Sequence, residues 1–191
     1  MQKSRGFEWS YRDLLTALVV VYMAMAALAL VAATKASSQV VPPGNVMFQL
    51  TWDMRREADA DLWVKAPGDQ PVGYSHPAGR HCNLLRDDLG RPIDPESRNT
   101  ELTVCRGTPD GEWVANAALY ADRGHVLPVS AVITAFVGDA QGTHEIARRE
   151  VMLTREGDEE TAFRFTLSHG RLVAGSVNHL PMVLWGGGQG S

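Results

Sequence analysis

Charge is missing from one long stretch of this 191-residue chain: no Asp, Glu, Lys or Arg occurs between Leu14 and Ala33. About 20 residues of helix cross the roughly 30 Å hydrocarbon core of a bilayer, so this run is predicted to span a membrane once. Cysteine is scarce as well, with Cys82 and Cys105 the only two. The net charge of −4 and pI near 5.8 leave no excess of basic residues, which excludes general nucleic-acid binding. No G-x-S-x-G, H-E-x-x-H or Walker-type glycine loop occurs, so hydrolase and nucleotide chemistry of those kinds has no support. Outside the apolar run, no stretch reads convincingly as a helix of a soluble domain.

What is present begins with an acid. Asp13 stands at the edge of the apolar run, where a carboxylate is costly unless it finds water, a proton or a partner. At 100° per residue, Asp13, Thr16, Ala17, Val20, Ala24, Ala27 and Val31 share one helix face. Its alanines permit close approach of a second helix, which makes Ala17, Val20, Ala24 and Ala27 the expected dimer face. Leu15, Leu18, Tyr22 and Met25 lie opposite and suit lipid or a larger helical partner. The plainer alternative is an anchor whose Asp13 snorkels to the cytoplasm beside Arg12.

Trp9, Tyr11, Asp13, Leu14, Thr16, Ala17 and Met23 resemble the pattern W-x-x-Y-x-D-(F/L)-x-T-A that opens MotB-type stator subunits, with one residue fewer between Trp and Tyr. ExbD and TolR relatives share the same plan of short tail, single helix with Asp, and periplasmic domain. The resemblance covers residues 7–30. It implies an ion-carrying role for Asp13, hydrogen bonds near its carboxylate from Tyr11 and Thr16, and H⁺ or Na⁺ as the transported ion. It further implies a homodimer inside a ring of MotA/ExbB-like multi-helix partners, five copies around two of this chain.

Lys3, Arg5 and Arg12 precede the apolar run and Lys35 alone follows it closely, so the positive-inside rule places the N-terminus in the cytoplasm. A cleaved signal peptide is the rival. The run exceeds a typical h-region and no clean A-x-A site precedes a polar start, so the helix is expected to be retained in a bacterial inner membrane. The expected organisation is a tail over 1–12, a transmembrane helix over 13–33, a linker over 34–45 and a periplasmic domain over 46–185. The glycine-rich end, 186–191, reads as a flexible tail or fusion scar. MotB relatives often carry an amphipathic plug helix after the span, but Pro42 and Pro43 end any helix in Thr34–Gly44.

From Val46 onward the text alternates as strands do. Val46, Phe48, Leu50 and Trp52 define a half-buried strand. Further strands are predicted at Leu62–Lys65, Val72–Tyr74, Leu102–Cys105, Trp113–Leu119, Val129–Val137, Glu145–Leu153, Phe163–Leu167, Leu172–Val177 and Pro181–Trp185, with a turn at Ala66–Asp69. The fold class is therefore a single N-terminal transmembrane α-helix followed by a mainly antiparallel β-sandwich. Leu50-Thr-Trp-Asp53, Ala60–Gly68, Asp87-Asp88 and Pro95–Asn99 resemble the YfaP-type β-sandwich domain. That family reads roughly L-T-W-D, D-L-D-L-x-V-x-x-P-x-G, D-D and G-P-E-N. The likeness spans about Val46–Gly138, with Ala60 in place of an acid and no Gly before Pro95. It implies a fold and an extracytoplasmic setting, with no activity attached.

Cys82 and Cys105, an even pair in an oxidising compartment, are expected to form a disulfide tying the irregular Pro77–Asn99 loop to a strand; two buried thiols are the alternative. Asp53, Asp59, Asp61, Asp87, Asp88 and Asp94 offer the oxygen ligands that Ca²⁺ takes, but their spacing matches no EF-hand loop. They read better as solvated turn aspartates. His76, His81 and Cys82 lack the three or four well-spaced ligands of a Zn²⁺ site. No resident cofactor, no metal and no catalytic residue is expected. The leading expectation is a non-enzymatic, MotB-like motor subunit that couples ion flow to movement of, or force on, an envelope target. No OmpA-like peptidoglycan-binding domain is recognisable, which argues against the usual flagellar role. The alternative is a membrane-anchored extracytoplasmic binding module without ion transport.

Overall fold

The computed structural model describes residues 5–36, 44–89, 98–139 and 142–185. The chain divides into two compact units, Met1–Val40 and Val41–Ser191. The glycine-rich end and Asp94 lie outside the described residues.

The first unit is one helix, α1, Arg5–Ala36. It contains no proline and a single glycine, Gly6, and is rich in Ala, Leu and Met, all strong helix formers. At 1.5 Å per residue its 32 residues reach about 48 Å, so the helix runs past both ends of the expected span. The segment Tyr11–Ala29 is long and apolar enough to cross a membrane, and none of it is buried within the protein.

The second unit is an antiparallel β-sandwich. Its strands are β1 Val46–Trp52, β2 Ala58–Lys65, β3 Cys82–Arg86, β4 Thr100–Cys105, β5 Gly111–Asp122, β6 Val129–Asp139, β7 Gly142–Leu153, β8 Glu159–Ser168 and β9 Arg171–Leu172. One sheet has the order β3-β4-β1-β6-β7 and the other β2-β5-β8-β9. Period-two alternation decides which side chains meet between them. Phe48 and Leu50 of β1, Leu62 and Val64 of β2, Trp113 and Leu119 of β5, Ile133 of β6, and Phe163, Phe165 and Leu167 of β8 are fully buried. Phe48, Trp113 and Phe165 stack with ring centroids 6.1–6.4 Å apart. Burying each of these side chains contributes about 1.5–3 kcal/mol, so this layer is the main source of the unit's stability.

A smaller apolar cluster covers the outer face of the β2-β5-β8-β9 sheet, where Trp63, Val114 and Ala118 meet Leu184 and Trp185. Pro181–Trp185 is not the predicted strand. Its amides are taken by side chains instead: Met182 N donates to Thr161 Oγ1, and Leu184 N and Trp185 N to Glu159 Oε1. The strand predicted at Leu172–Val177 shrinks to β9, because Gly175 turns the chain at a φ of 73° and Ser176 Oγ closes the turn on the Val173 carbonyl. Val72 pairs with Val64 through an isolated bridge, as the predicted return requires. Gly73 is needed beside it, since a Cβ there would lie 2.5 Å from the Trp63 ring.

One strand was not foreseen. β3 arises inside the stretch expected to be irregular and pairs with β4, Cys82 opposite Cys105. The disulfide between those residues is present. It therefore joins two neighbouring strands rather than pinning a loop to one.

Candidate functional site

On α1, every described side chain from Tyr11 to Ala29 is exposed. Asp13, Thr16, Ala17, Val20, Ala24 and Ala27 follow the i, i+3, i+4, i+7 spacing that aligns them along the helix. The Thr16 hydroxyl donates to the backbone carbonyls of Arg12, at 2.8 Å, and Asp13, at 3.0 Å. Tyr11 is exposed two residues before Asp13. Tyr22 and Met25, on the opposite face, are more than three-fifths exposed.

The sandwich carries a second constellation, at the outer edge of β2 beyond the Val64–Val72 bridge. Ala58, Ala60, Leu62 and Val64 face the core, which turns Asp59, Asp61 and Trp63 to the other side. A bulge between Asp59 and Ala60 shifts the register here. Glu101 of β4, in the opposite sheet, is completely buried and points at this edge. Its Oε2 accepts the Leu62 amide at 2.5 Å and its Oε1 the Asp88 amide at 3.4 Å. The Glu101 carboxyl thus takes a backbone donor that an adjoining strand would otherwise satisfy.

Asp61, Asp87 and Glu101 each bring a carboxylate oxygen within 4.8 Å of the other two. Asp61 and Glu101 are buried and Asp87 is exposed. Among the described residues the Oδ2 of Asp61 has no hydrogen-bond partner, although Asp61 is only 3% exposed. Burial, followed by the nearby Asp59 and Asp87 carboxylates, pushes Asp61 up to about 8. Burial likewise raises Glu101 well above the usual carboxylate range, with Asp61 adding to the effect. Asp59 is raised by burial too, against the opposing pull of Arg123, whose Nη2 lies 3.1 Å from its Oδ2.

A cavity of about 160 Å³ opens beside these acids, lined by Asp59, Asp61, Tyr74, Asp87, Leu89 and Tyr120. Tyr74 is held edge-on between Trp63 and Tyr120, with centroids 5.7 and 5.4 Å away, and its hydroxyl accepts from Trp185 Nε1 at 3.3 Å.

The aspartates read as solvated turn residues are thus not alike. Asp53 is exposed and paired with Arg55, which holds its carboxyl down near 2. Asp59 and Asp61 instead lie buried on a strand, and Asp88 is buried and accepts the Thr100 amide at 3.0 Å. Strand β2 starts four residues earlier than expected, which carries Asp59 and Asp61 out of the turn and into the sheet. Glu101 was missed altogether. Its only sequence signal is an acid at an inward position of an alternating strand, Glu101, Thr103, Cys105. His81 contributes its backbone amide to Asp69 Oδ2, and Cys82 is spent in the disulfide. No protein-family model, curated protein or solved structure matches this chain.

Proposed function

We propose that the chain is a subunit of an ion-driven inner-membrane motor, with Asp13 as ion carrier and the sandwich coupling ion flow to an envelope target. The observation that carries the reading is Asp13 itself, an exposed acid within the apolar span Tyr11–Ala29. An acid at the edge of the span is costly unless it finds water, a proton, a cation or a partner helix, and a multi-helix ring of the MotA/ExbB kind supplies the partner. Ala17, Ala24 and Ala27 leave room for the second copy. Asp13 would take H⁺ or Na⁺ arriving from outside, turn past the ring interface as a neutral group, and release the ion inward. One charge moving across the membrane potential releases about 2.3 kcal/mol per 100 mV, which is the driving energy of each step.

Asp13→Asn preserves size and most hydrogen bonding but cannot cycle a charge. It is expected to abolish ion-dependent activity while a larger integral membrane partner still co-purifies. Asp13→Glu should keep part of the activity. Loss of a charge eases membrane insertion by up to about 3 kcal/mol, so failed insertion would not account for an inactive Asn variant. Full activity of Asp13→Asn at matched membrane levels ends the motor reading. It would leave the anchored binding module, which the tyrosine-lined cavity of the sandwich favours.

A further inference from the structure

We infer that Asp61, Asp87 and Glu101 form a Ca²⁺ site that clamps the outer edge of β2 to β3 and β4. The inference is independent of the role given to Asp13. Three observations carry it. The first is geometric: the three oxygens lie within 4.8 Å of one another. Three oxygens so spaced lie at most about 2.8 Å from a common centre, so a side-chain adjustment of a few tenths of an ångström at most brings all three to the roughly 2.3–2.6 Å of a Ca²⁺ ligand.

The second is the unpartnered Oδ2 of Asp61, on a residue 97% removed from solvent. Buried polar atoms are almost always paired, and an ionised carboxylate only accepts. Asp61, Asp87 and Glu101 cannot satisfy one another without a shared proton or a cation. Nearby Arg123 is already committed to Asp59 and to the Leu89 carbonyl, at 3.1 and 2.7 Å.

The third is the adjoining cavity, which gives an ion a route in and room for water in the remaining coordination positions. Ca²⁺ takes six to eight oxygens in flexible geometry, whereas Mg²⁺ demands a near-ideal octahedron. Two buried acids on facing strands and one exposed acid beyond β3 suit the tolerant ion.

The ligands come from three segments distant in sequence, two of them strands of opposite sheets. An ion shared among them would close the sandwich at an edge where the two sheets have no ladder between them.

The test uses the full chain in non-ionic detergent, stripped with EDTA. Thermal unfolding is followed by tryptophan fluorescence while CaCl₂ or MgCl₂ is added. Ca²⁺ at about 1 mM, the upper end for extracellular modules, is expected to raise the midpoint, and Mg²⁺ at the same concentration to leave it nearly unchanged. Equilibrium dialysis should find one Ca²⁺ per chain. Asp61→Asn and Glu101→Gln should lose both the shift and the bound ion. Asp53→Asn, outside the cluster, should keep them. Asp87→Asn is the safer variant, because its side chain is exposed and its loss leaves no buried gap. Tb³⁺ bound in place of Ca²⁺ should luminesce on excitation of Tyr74 and Tyr120, and Asp87→Asn should extinguish that signal. No midpoint shift with no bound Ca²⁺ would overturn the site and leave three carboxyls sharing protons. Equal responses to Mg²⁺, or an undiminished response in Asp87→Asn, would overturn it as well.

Discussion

Replacing Asp61 by Asn isolates the electrostatic cost of a buried acid. In the unfolded chain Asp61 titrates near its ordinary 3.8, and in the folded one, because of burial and the Asp59 and Asp87 charges, near 8. Between those values the unfolded chain gives up a proton that the folded chain keeps. The contribution to stability is therefore complete below about pH 3.8, falls as pH rises, and levels off above about pH 8. The slope is about 1.4 kcal/mol per pH unit, so at pH 7 the group weighs against folding by roughly 4 kcal/mol. Asn has no proton to lose and escapes this term. The assay is urea unfolding of the full chain in detergent and EDTA, read by tryptophan fluorescence at pH 5 and pH 8. The parent should lose several kcal/mol between the two, with Glu101 acting in the same direction. Asp61→Asn should lose less and should be the more stable protein at pH 8. Parent stability that is flat or rises over this window would refute the reasoning, as would an Asn variant less stable than the parent at pH 8.

Two further outcomes are expected. Cys82→Ser with Cys105→Ser opens a crosslink across 23 residues, for which the chain-entropy model gives a loss of about 3.4 kcal/mol; an unchanged urea midpoint would rule out that contribution. On the helix, cysteines at Ala17, Ala24 or Ala27 should cross-link two copies more readily than cysteines at Leu18, Tyr22 or Met25, and equal yields around the helix would argue for an unassociated anchor.

Legibility in the sequence followed local pattern. β1 announces itself because one face is core and the other is not, so apolar and polar residues alternate; β5 keeps the inward register Trp113, Ala115, Ala117, Leu119 although its outer face is covered too, and β6 is marked by its β-branched residues. β2 was read too short because its first half, Ala58-Asp-Ala-Asp61, is buried on both faces and carries acids where strand propensity is low. β3 is a five-residue edge strand beside Pro77 and Gly79, and only its partner β4 defines it. The last segment reads as a strand by composition, yet the side chains of Thr161 and Glu159 take its amides in place of a neighbouring strand. The acidic cluster was half legible. Asp61 and Asp87 could be picked out as acids, but Glu101 joins them only because β4 faces β2 across the sandwich, a relation that no spacing in the chain records.

The position of β1 has a mechanical consequence. The chain from α1 enters the sandwich at Val46, and β1 is the central strand of its sheet, paired with β4 from Val46 to Thr51 and with β6 from Val46 to Trp52. Tension along β1 runs across these hydrogen bonds, so both ladders are loaded in shear and must yield together. An edge strand pulled from its end would unzip one bond at a time. Val46 also lies opposite Cys105, whose disulfide to Cys82 locks the next strand at the same end. A pull directed along β1 therefore meets two ladders and a crosslinked neighbour at once.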